Sequence, residues 1–404
     1  MARIAWYSNS CLVNSGYGTQ SAQVVHRMVQ HKHEVALQAN HGASFGMQCP
    51  HGHPILAEGL VRYSIDAAPE QMQSWLDGKP GFSVVLFDAW PLAGVDGFKD
   101  MNLACWVPID HAPVPPMVLR FLREGGHHAI AMSQFGEQQL LDAGYPRAEV
   151  SYIPHAIDRN LYKDVGMGAR SSMGFEPDDF VVCTNAANRG RIPVRKGWGE
   201  MADAMARFMR DRNDVKWMVH TEPNGHSEGV NIPRLLATLG VDALRVRYPH
   251  PQHLRAGIPN EAINAMYSAS SVHLLTSMGE GFGLPTVESA SAGTPQIVSD
   301  ASAQSELVGA HGHKVKVQRV WDEYQGSWFA IPNVDAIYEA LQAVYEETKA
   351  GKVDRAKVAA EMARYDADTV YAEKWEPLIA MMTERKRQPA QPLNRAQRRA
   401  QRGR

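Results

Sequence analysis

Short apolar runs rich in valine, isoleucine and aromatic residues alternate with stretches of helical spacing along most of this chain, and the alternation stops and restarts once. Residues 3–9 (RIAWYSN), 33–40 (HEVALQAN), 83–89 (SVVLFDA), 103–109 (LACWVPI), 128–133 (HAIAMS) and 149–154 (EVSYIP) read as buried strands. Helical patterns such as 19–30 (TQSAQVVHRMVQ) and 134–143 (QFGEQQLLDA) lie between some of them. After the polar, turn-rich stretch 155–179 the pattern resumes with strands at 180–186, 215–221, 244–248, 271–277 and 295–299. Strand and helix in alternation bury both faces of a parallel sheet, so the expectation is an α/β chain of two successive doubly wound, Rossmann-like domains. Residues 335–349 and 353–364 look helical, and 368–385 is a last amphipathic helix with Val370, Trp375, Leu378 and Met382 near one face.

No apolar run among the 404 residues approaches the ~18–20 needed to cross a bilayer, and the N-terminus MARIAWYSNS lacks the apolar region of a signal peptide, so a cytoplasmic setting is expected. Cys11, Cys49, Cys105 and Cys183 are scattered with no Cys-x-x-Cys pair, which indicates neither a disulfide framework nor a structural zinc site. The net charge of −2 hides an asymmetry: residues 385–404 hold eight Arg or Lys and no acid, leaving the preceding 384 residues at −10. A tail of that composition has little to bury and reads as disordered; it would suit a polyanion such as nucleic acid, or only keep the chain soluble.

The segment 279–288, GEGFGLPTVE, follows a buried strand and opens a short helix that should end near Gly293 and Pro295. Pro285 suits the first turn, and the unpaired amides around Phe282, Gly283 and Leu284 favour an anion, which glycines let approach closely. Glu280 and Glu288 beside an anion site make sense for a ligand that also carries hydroxyls. A nucleotide sugar has both parts; a tight turn followed by a solvated glutamate is the plainer alternative.

A second cluster, TNAANRGRIPVRKGW, leaves the first strand of the second domain and presents Arg189, Arg191, Arg195 and Lys196. At the carboxyl edge of a parallel sheet such cations would face the crevice and could neutralise a diphosphate leaving group. The first domain has its own glycine loop, NSGYGTQSAQ, in which Gly16, Tyr17, Gly18 and Thr19 could bring amides against phosphate or acceptor. As a dinucleotide fingerprint it fails, because Ser21 stands at the third glycine position. Asp366 and Asp368, in DAD, imitate a metal motif but sit where a helix cap belongs. Cys49, His51 and His53 in CPHGHP offer alternating ligands in a lone loop without a second half, and His127 and His128 open a strand.

Together, EGFGLPTVE, NRGRIPVRKG, IPHAID and SAGTPQIVSD resemble a family 4 retaining glycosyltransferase of the GT-B fold, over most of residues 3–310. The resemblance implies an acceptor-side domain at 1–160 with a returning helix at 366–385, a donor domain at 161–365 and a tail at 386–404. It implies a nucleoside-diphosphate sugar as donor, UDP-sugar favoured, with no cofactor and no catalytic metal. Glu280 would contact sugar hydroxyls and Glu288 the ribose, with Phe282, Gly283 and Leu284 along sugar and phosphate. Arg189 and Lys196 would meet the diphosphate, with Arg191 competing because the interval runs one residue long. His111 and Asp110, in WVPIDHAPVP, match a region where the family often places a histidine near the reacting sugar, and Ser133 matches a serine that is equally an N-cap. Retention of configuration follows from the resemblance, with the departing phosphate taking the acceptor proton.

The acceptor is open to a surface protein, a lipid or a small glycan. The NRAQRRAQRGR ending and compact first domain have a phage-like look, which adds modified phage DNA tethered by the tail. Outside enzymes, a nucleotide-sugar-binding module without catalysis and a nucleic-acid-binding protein resting on the tail are the competing classes.

Overall fold

The structure, a computed structural model, describes residues 1–190, 193–225 and 228–385; Arg191 and the basic tail from 386 onward lie outside the described residues. Eight strands form the first sheet: β1 (Arg3–Asn9), β2 (Glu34–His41), β3 (Met47–Gln48), β4 (Pro54–Leu56), β5 (Gly81–Leu86), β6 (Leu103–Val107), β7 (His128–Ala131) and β8 (Val150–Tyr152), in the order β3-β4-β2-β1-β5-β6-β7-β8. All pairs are parallel except β3–β4. Helices cover both faces, so the central strands are buried throughout; Ile4, Trp6, Val84, Leu86, Ala104 and Trp106 face one layer of core, and Tyr7, Val85, Cys105 and Val107 the other.

The second sheet holds β9 (Phe180–Asn185), β10 (Val215–His220), β11 (Val246–Arg247), β12 (Val272–Leu275), β13 (Gln296–Ser299) and β14 (His313–Val315), in the order β11-β10-β9-β12-β13-β14, all parallel. In both sheets the order reverses beside the first strand, which places a crevice at the carboxyl ends of β1 and β9. The strand runs read in the sequence are all present. The short strands β3, β4 and β14 were not read, nor was the antiparallel hairpin β15 (Val317–Asp322) with β16 (Ser327–Pro332).

The last helical stretch runs through Ala367–Val370, a π-helical turn at Tyr371–Trp375, and Glu376–Glu384. It packs on the first sheet. Trp375 is buried with its ring 5.5 Å from Trp6 and 4.9 Å from Trp106, and Arg385 closes the end on Glu149 at 2.7 Å. The chain's two crossings between sheets lie side by side: the Ile157 amide donates to Tyr365 O, and the Ala367 amide donates to Ile157 O, each at 2.9 Å. Asp366 caps the returning helix by accepting from the Asp368 and Thr369 amides, while Asp368 pairs with Arg27 at 2.7 Å. Among the described residues no helix is long and apolar enough to cross a membrane.

Candidate active site

The second-sheet wall of the crevice is built from the loops after β9 and β12. Gly197, at φ 67°, ends the β9 loop, and a Cβ there would sit 2.3 Å from Thr276 O. Only glycine permits that approach, and it sets Arg195 and Lys196 beside the loop that follows β12. The Met278 amide donates to Arg195 O at 2.7 Å, and the Arg195 guanidinium donates to Gly279 O. Glu280, buried in this loop, pairs with Lys196, accepts from Ser277 Oγ at 2.6 Å and lies 3.5 Å from Arg195. Burial alone would raise its carboxyl. The charges of Lys196 and Arg195, with hydrogen bonds from Lys196 and Ser277, outweigh it and hold Glu280 below the usual carboxylate range. Burial, reinforced by the neighbouring Arg195 charge, pulls Lys196 below its usual value.

The first-sheet wall meets it from β6. Asp110 lies 3.4 Å from Arg195, so one guanidinium bridges carboxylates from both walls. His111 is buried, with Nδ1 2.6 Å from Asp110 and Nε2 3.3 Å from Asp322 at the end of β15. The ring of Phe329 on β16 stacks on His111 at 3.6 Å between centroids. The hairpin is held to the first wall by the Ala112 amide donating to Trp328 O at 3.2 Å and by Ser327 Oγ donating to Pro113 O. Asp88, just past β5, hydrogen-bonds Tyr17 of the first glycine loop; burial and the nearby Asp110 charge push its carboxyl up to about 6.

Glycines decide how closely the walls meet. A Cβ on Gly281 would lie 2.4 Å from Pro108 Cβ, and one on Gly279 would lie 2.4 Å from Asp110 O. Gly16 faces Leu284 across the crevice, its Cβ position 3.7 Å from Leu284 Cδ1. The two glycine loops read separately in the sequence therefore face each other. Gly283 (φ 122°) is the N-cap of helix Leu284–Ser291, with Pro285 in its first turn. The amides of Gly283 and Leu284 have no acceptor within the helix.

Several expected contacts take a different form. Phe282 turns its ring into the core, 5.3 Å from His155 and 5.5 Å from Tyr365, so only its backbone is left for a ligand. Gly18 cannot offer an amide to phosphate, because its N–H already donates to Ser15 Oγ at 3.0 Å; its lack of a Cβ instead lets Val13 O approach. Arg189 is exposed on the β9 loop, whereas Arg195 stands beside Lys196 at the centre. Ser133 caps helix Gln134–Asp142 by accepting from the Gly136 amide. Glu288 is buried and accepts from Tyr267 Oη at 2.9 Å; Tyr267 in turn accepts from Asn185 Nδ2 at 2.7 Å. Burial pushes Glu288 up to about 7 against the hydrogen bonds from Tyr267 and Tyr162.

Beside the crevice, at the carboxyl ends of β1, β2 and β5, lies a cavity of about 460 Å³ lined by Asn9, Asn40, Glu58, Arg62, Tyr63 and Phe87. Tyr63 stands 6.4 Å from Trp90, and Trp90 stands 5.4 Å from the exposed Tyr324 at the hairpin tip, which extends an aromatic rail from cavity to hairpin.

This architecture has been seen before. A sucrose-phosphate synthase from Thermosynechococcus elongatus superposes with a TM-score of 0.73 at 16% identity, covering 94% of this chain and 100% of that one. Anabaena HepE, solved with UDP-glucose, superposes with a TM-score of 0.69 at 16% identity over 94% of this chain and 100% of its own. The fold is that of the GT-B glycosyltransferases. Residues 243–363 match the family described as Glycosyl transferases group 1, a segment that contains both glutamates of the glycine loop. An MMP alpha-(1->4)-mannosyltransferase from Mycolicibacterium hassiacum is 32% identical over 122 residues, which cover 30% of this chain and 26% of the relative. The match thus spans about a quarter of that protein's length.

Proposed function

We propose that this GT-B protein is a glycosyltransferase that moves a sugar from a nucleoside-diphosphate sugar to an acceptor hydroxyl with retention of anomeric configuration. The observation that carries the reading is the Lys196–Glu280–Arg195 cluster at the glycine-rich start of helix Leu284–Ser291, set against Asp110 and His111 of the opposite wall. Lys196 and Arg195 would meet the diphosphate while the amides of Gly283 and Leu284 take further phosphate oxygens. Glu280 would accept from sugar hydroxyls, and Glu288, with a lone pair left beyond its bonds from Tyr267 and Tyr162, from the ribose. His111 would reach the reacting sugar by releasing Asp322, the longer of its two contacts.

In the reaction the bond between the anomeric carbon and the phosphate oxygen breaks, and a bond from that carbon to the acceptor oxygen forms on the same face. The acceptor proton passes to the departing diphosphate. Positively charged side chains stabilise that leaving group, so no divalent ion is assigned to the donor site. A UDP-sugar is favoured as donor.

For the acceptor, the aromatic rail from Tyr63 to Tyr324 suits rings that stack, which sugars and nucleobases both present. Modified DNA held by the basic tail is the acceptor that uses both features; a protein, lipid or small glycan uses the rail alone. A panel of nucleoside-diphosphate sugars, read by nucleotide release and by the anomeric configuration of the product, tests the function. Release of UDP with retained configuration is expected. Binding without release would make the chain a non-catalytic module, and an inverted product would overturn the mechanism.

A further inference from the structure

Just past the carboxyl end of β1 and beside the β3–β4 turn, two thiols and an imidazole come together. Cys11 follows β1, whereas Cys49 and His53 flank the turn between β3 and β4. Sγ of Cys11 lies 3.5 Å from Sγ of Cys49 and 3.8 Å from Nε2 of His53, and the three atoms all lie within 4.8 Å of one another. Cys49 and His53 are about 2% and 1% exposed, and Nδ1 of His53 is buried without a hydrogen-bond partner. The turn is shaped for this convergence: the Cys49 amide donates to His53 O at 2.8 Å, and Gly52 takes φ 90°. In sequence the CPHGHP loop lacks a second half; the fold supplies it from Cys11, 38 positions before Cys49.

We propose that Cys11, Cys49 and His53 bind a zinc ion. Around tetrahedral zinc, bonds of about 2.3 Å to sulfur and about 2.0–2.1 Å to nitrogen set ligand edges of roughly 3.8 Å (S···S) and 3.6 Å (S···N). The observed 3.5 and 3.8 Å fit that figure and are far from the ~2.05 Å of a disulfide. Thiolate with imidazole is a zinc donor set, and a cation would satisfy buried groups that otherwise hold only weak sulfur contacts. A water would complete the four positions, since His51 turns its ring onto His26 at 4.2 Å. Metal binding would release the thiol protons.

The ion would work at a distance from the chemistry. It would fasten the Ser10–Ser15 loop, which leads into Gly16 and lays Asn14 against Gly257 of the second domain, onto the β3–β4 arm. The test uses the full chain. Zinc content after exhaustive dialysis should be about one per chain, and cobalt exchanged into the protein should show thiolate-to-metal charge-transfer bands. Cys11→Ser should weaken metal retention more than ~10-fold and lose part of the charge-transfer intensity, and Cys49→Ser likewise; Cys105→Ala should alter neither. A folded wild-type protein that holds no zinc and gives no cobalt–thiolate bands would overturn the site. So would thiol titration of the unreduced protein finding two of the four cysteines joined as a Cys11–Cys49 disulfide.

Discussion

Replacing Lys196 by methionine asks whether the cations of the crevice hold Glu280 as an anion. Removing one partner of a buried ion pair costs about 3–5 kcal/mol when nothing else compensates. Here Arg195 remains 3.5 Å from the second oxygen of Glu280, and Ser277 still donates at 2.6 Å. Arg195 is 39% exposed along its side chain, so water screens its share. The loss for Lys196→Met should therefore fall at about 1–3 kcal/mol. Glu280→Gln leaves Lys196 and Arg195 facing a neutral amide and should cost about 3 kcal/mol. Because the two side chains contact each other, the double variant should be destabilised by about 1–3 kcal/mol less than the two single variants combined. Denaturant unfolding of the four proteins measures that coupling. Turnover by Lys196→Met should drop about 10²–10³-fold, the loss expected when a group placed to meet developing charge is removed. Stabilities additive to within ~0.5 kcal/mol would refute the pairing, and unchanged turnover would remove Lys196 from the donor site.

Gly281→Ala places a methyl 2.4 Å from Pro108 Cβ, so it should weaken donor affinity by holding the walls apart while circular dichroism stays native; donor affinity equal to wild type would show that the walls need not meet there. Glu288 has a folded value of about 7 against 4.5 for the free side chain, so its neutral form stabilises the fold: that stability is fully present below 4.5 and is lost as pH rises through about 7. The melting temperature of Glu288→Gln should accordingly gain on wild type between pH 5 and pH 8, and a gap independent of pH would contradict the burial argument. Trp375→Ala empties the space between Trp6 and Trp106 and should cost about 3–5 kcal/mol; a loss below ~1 kcal/mol would mean that the returning helix contributes little to the first domain. If DNA is the acceptor, deleting residues 386–404 should reduce its glycosylation and flatten the salt dependence, and equal rates with and without the tail would remove the tether.

What the sequence disclosed and what it hid divide along local and long-range contacts. The strand runs and the helix after GEGFGLPTVE were legible because buried parallel strands and helix starts leave signatures within a few residues. The hairpin β15–β16 also had one, DEYQG between β-rich runs, but its exposed Trp321 and Arg319 interrupt the usual alternation. Arg195 was one of four clustered cations, and the choice among them is made by Gly197 touching Thr276 O nearly 80 residues away. Asp88 sat inside a stretch read wholly as strand; its place at the carboxyl end of β5, next to the order reversal, was the available clue. Cys11, remote from Cys49 in sequence, gave no local sign of convergence.

The placement of Arg195 also bears on how the proposed donor would bind. Arg195 is shared between Asp110 of one wall and Glu280 of the other, and Lys196 is paired with Glu280. The cations that would meet a diphosphate are thus each paired with a carboxylate, and Asp88 and Asp322 add further acid around them. A diphosphate arriving in this cleft would exchange anions rather than fill a vacant positive pocket. As phosphate takes over Lys196 and Arg195, Glu280 and Asp110 lose ion-pair partners and gain the capacity to accept from sugar hydroxyls. A bare phosphate would leave those carboxylates unsatisfied, while a diphosphate carrying a sugar satisfies both halves of the exchange. On this reading, selectivity for the intact donor over its nucleotide arises from the acids of the site as much as from its bases.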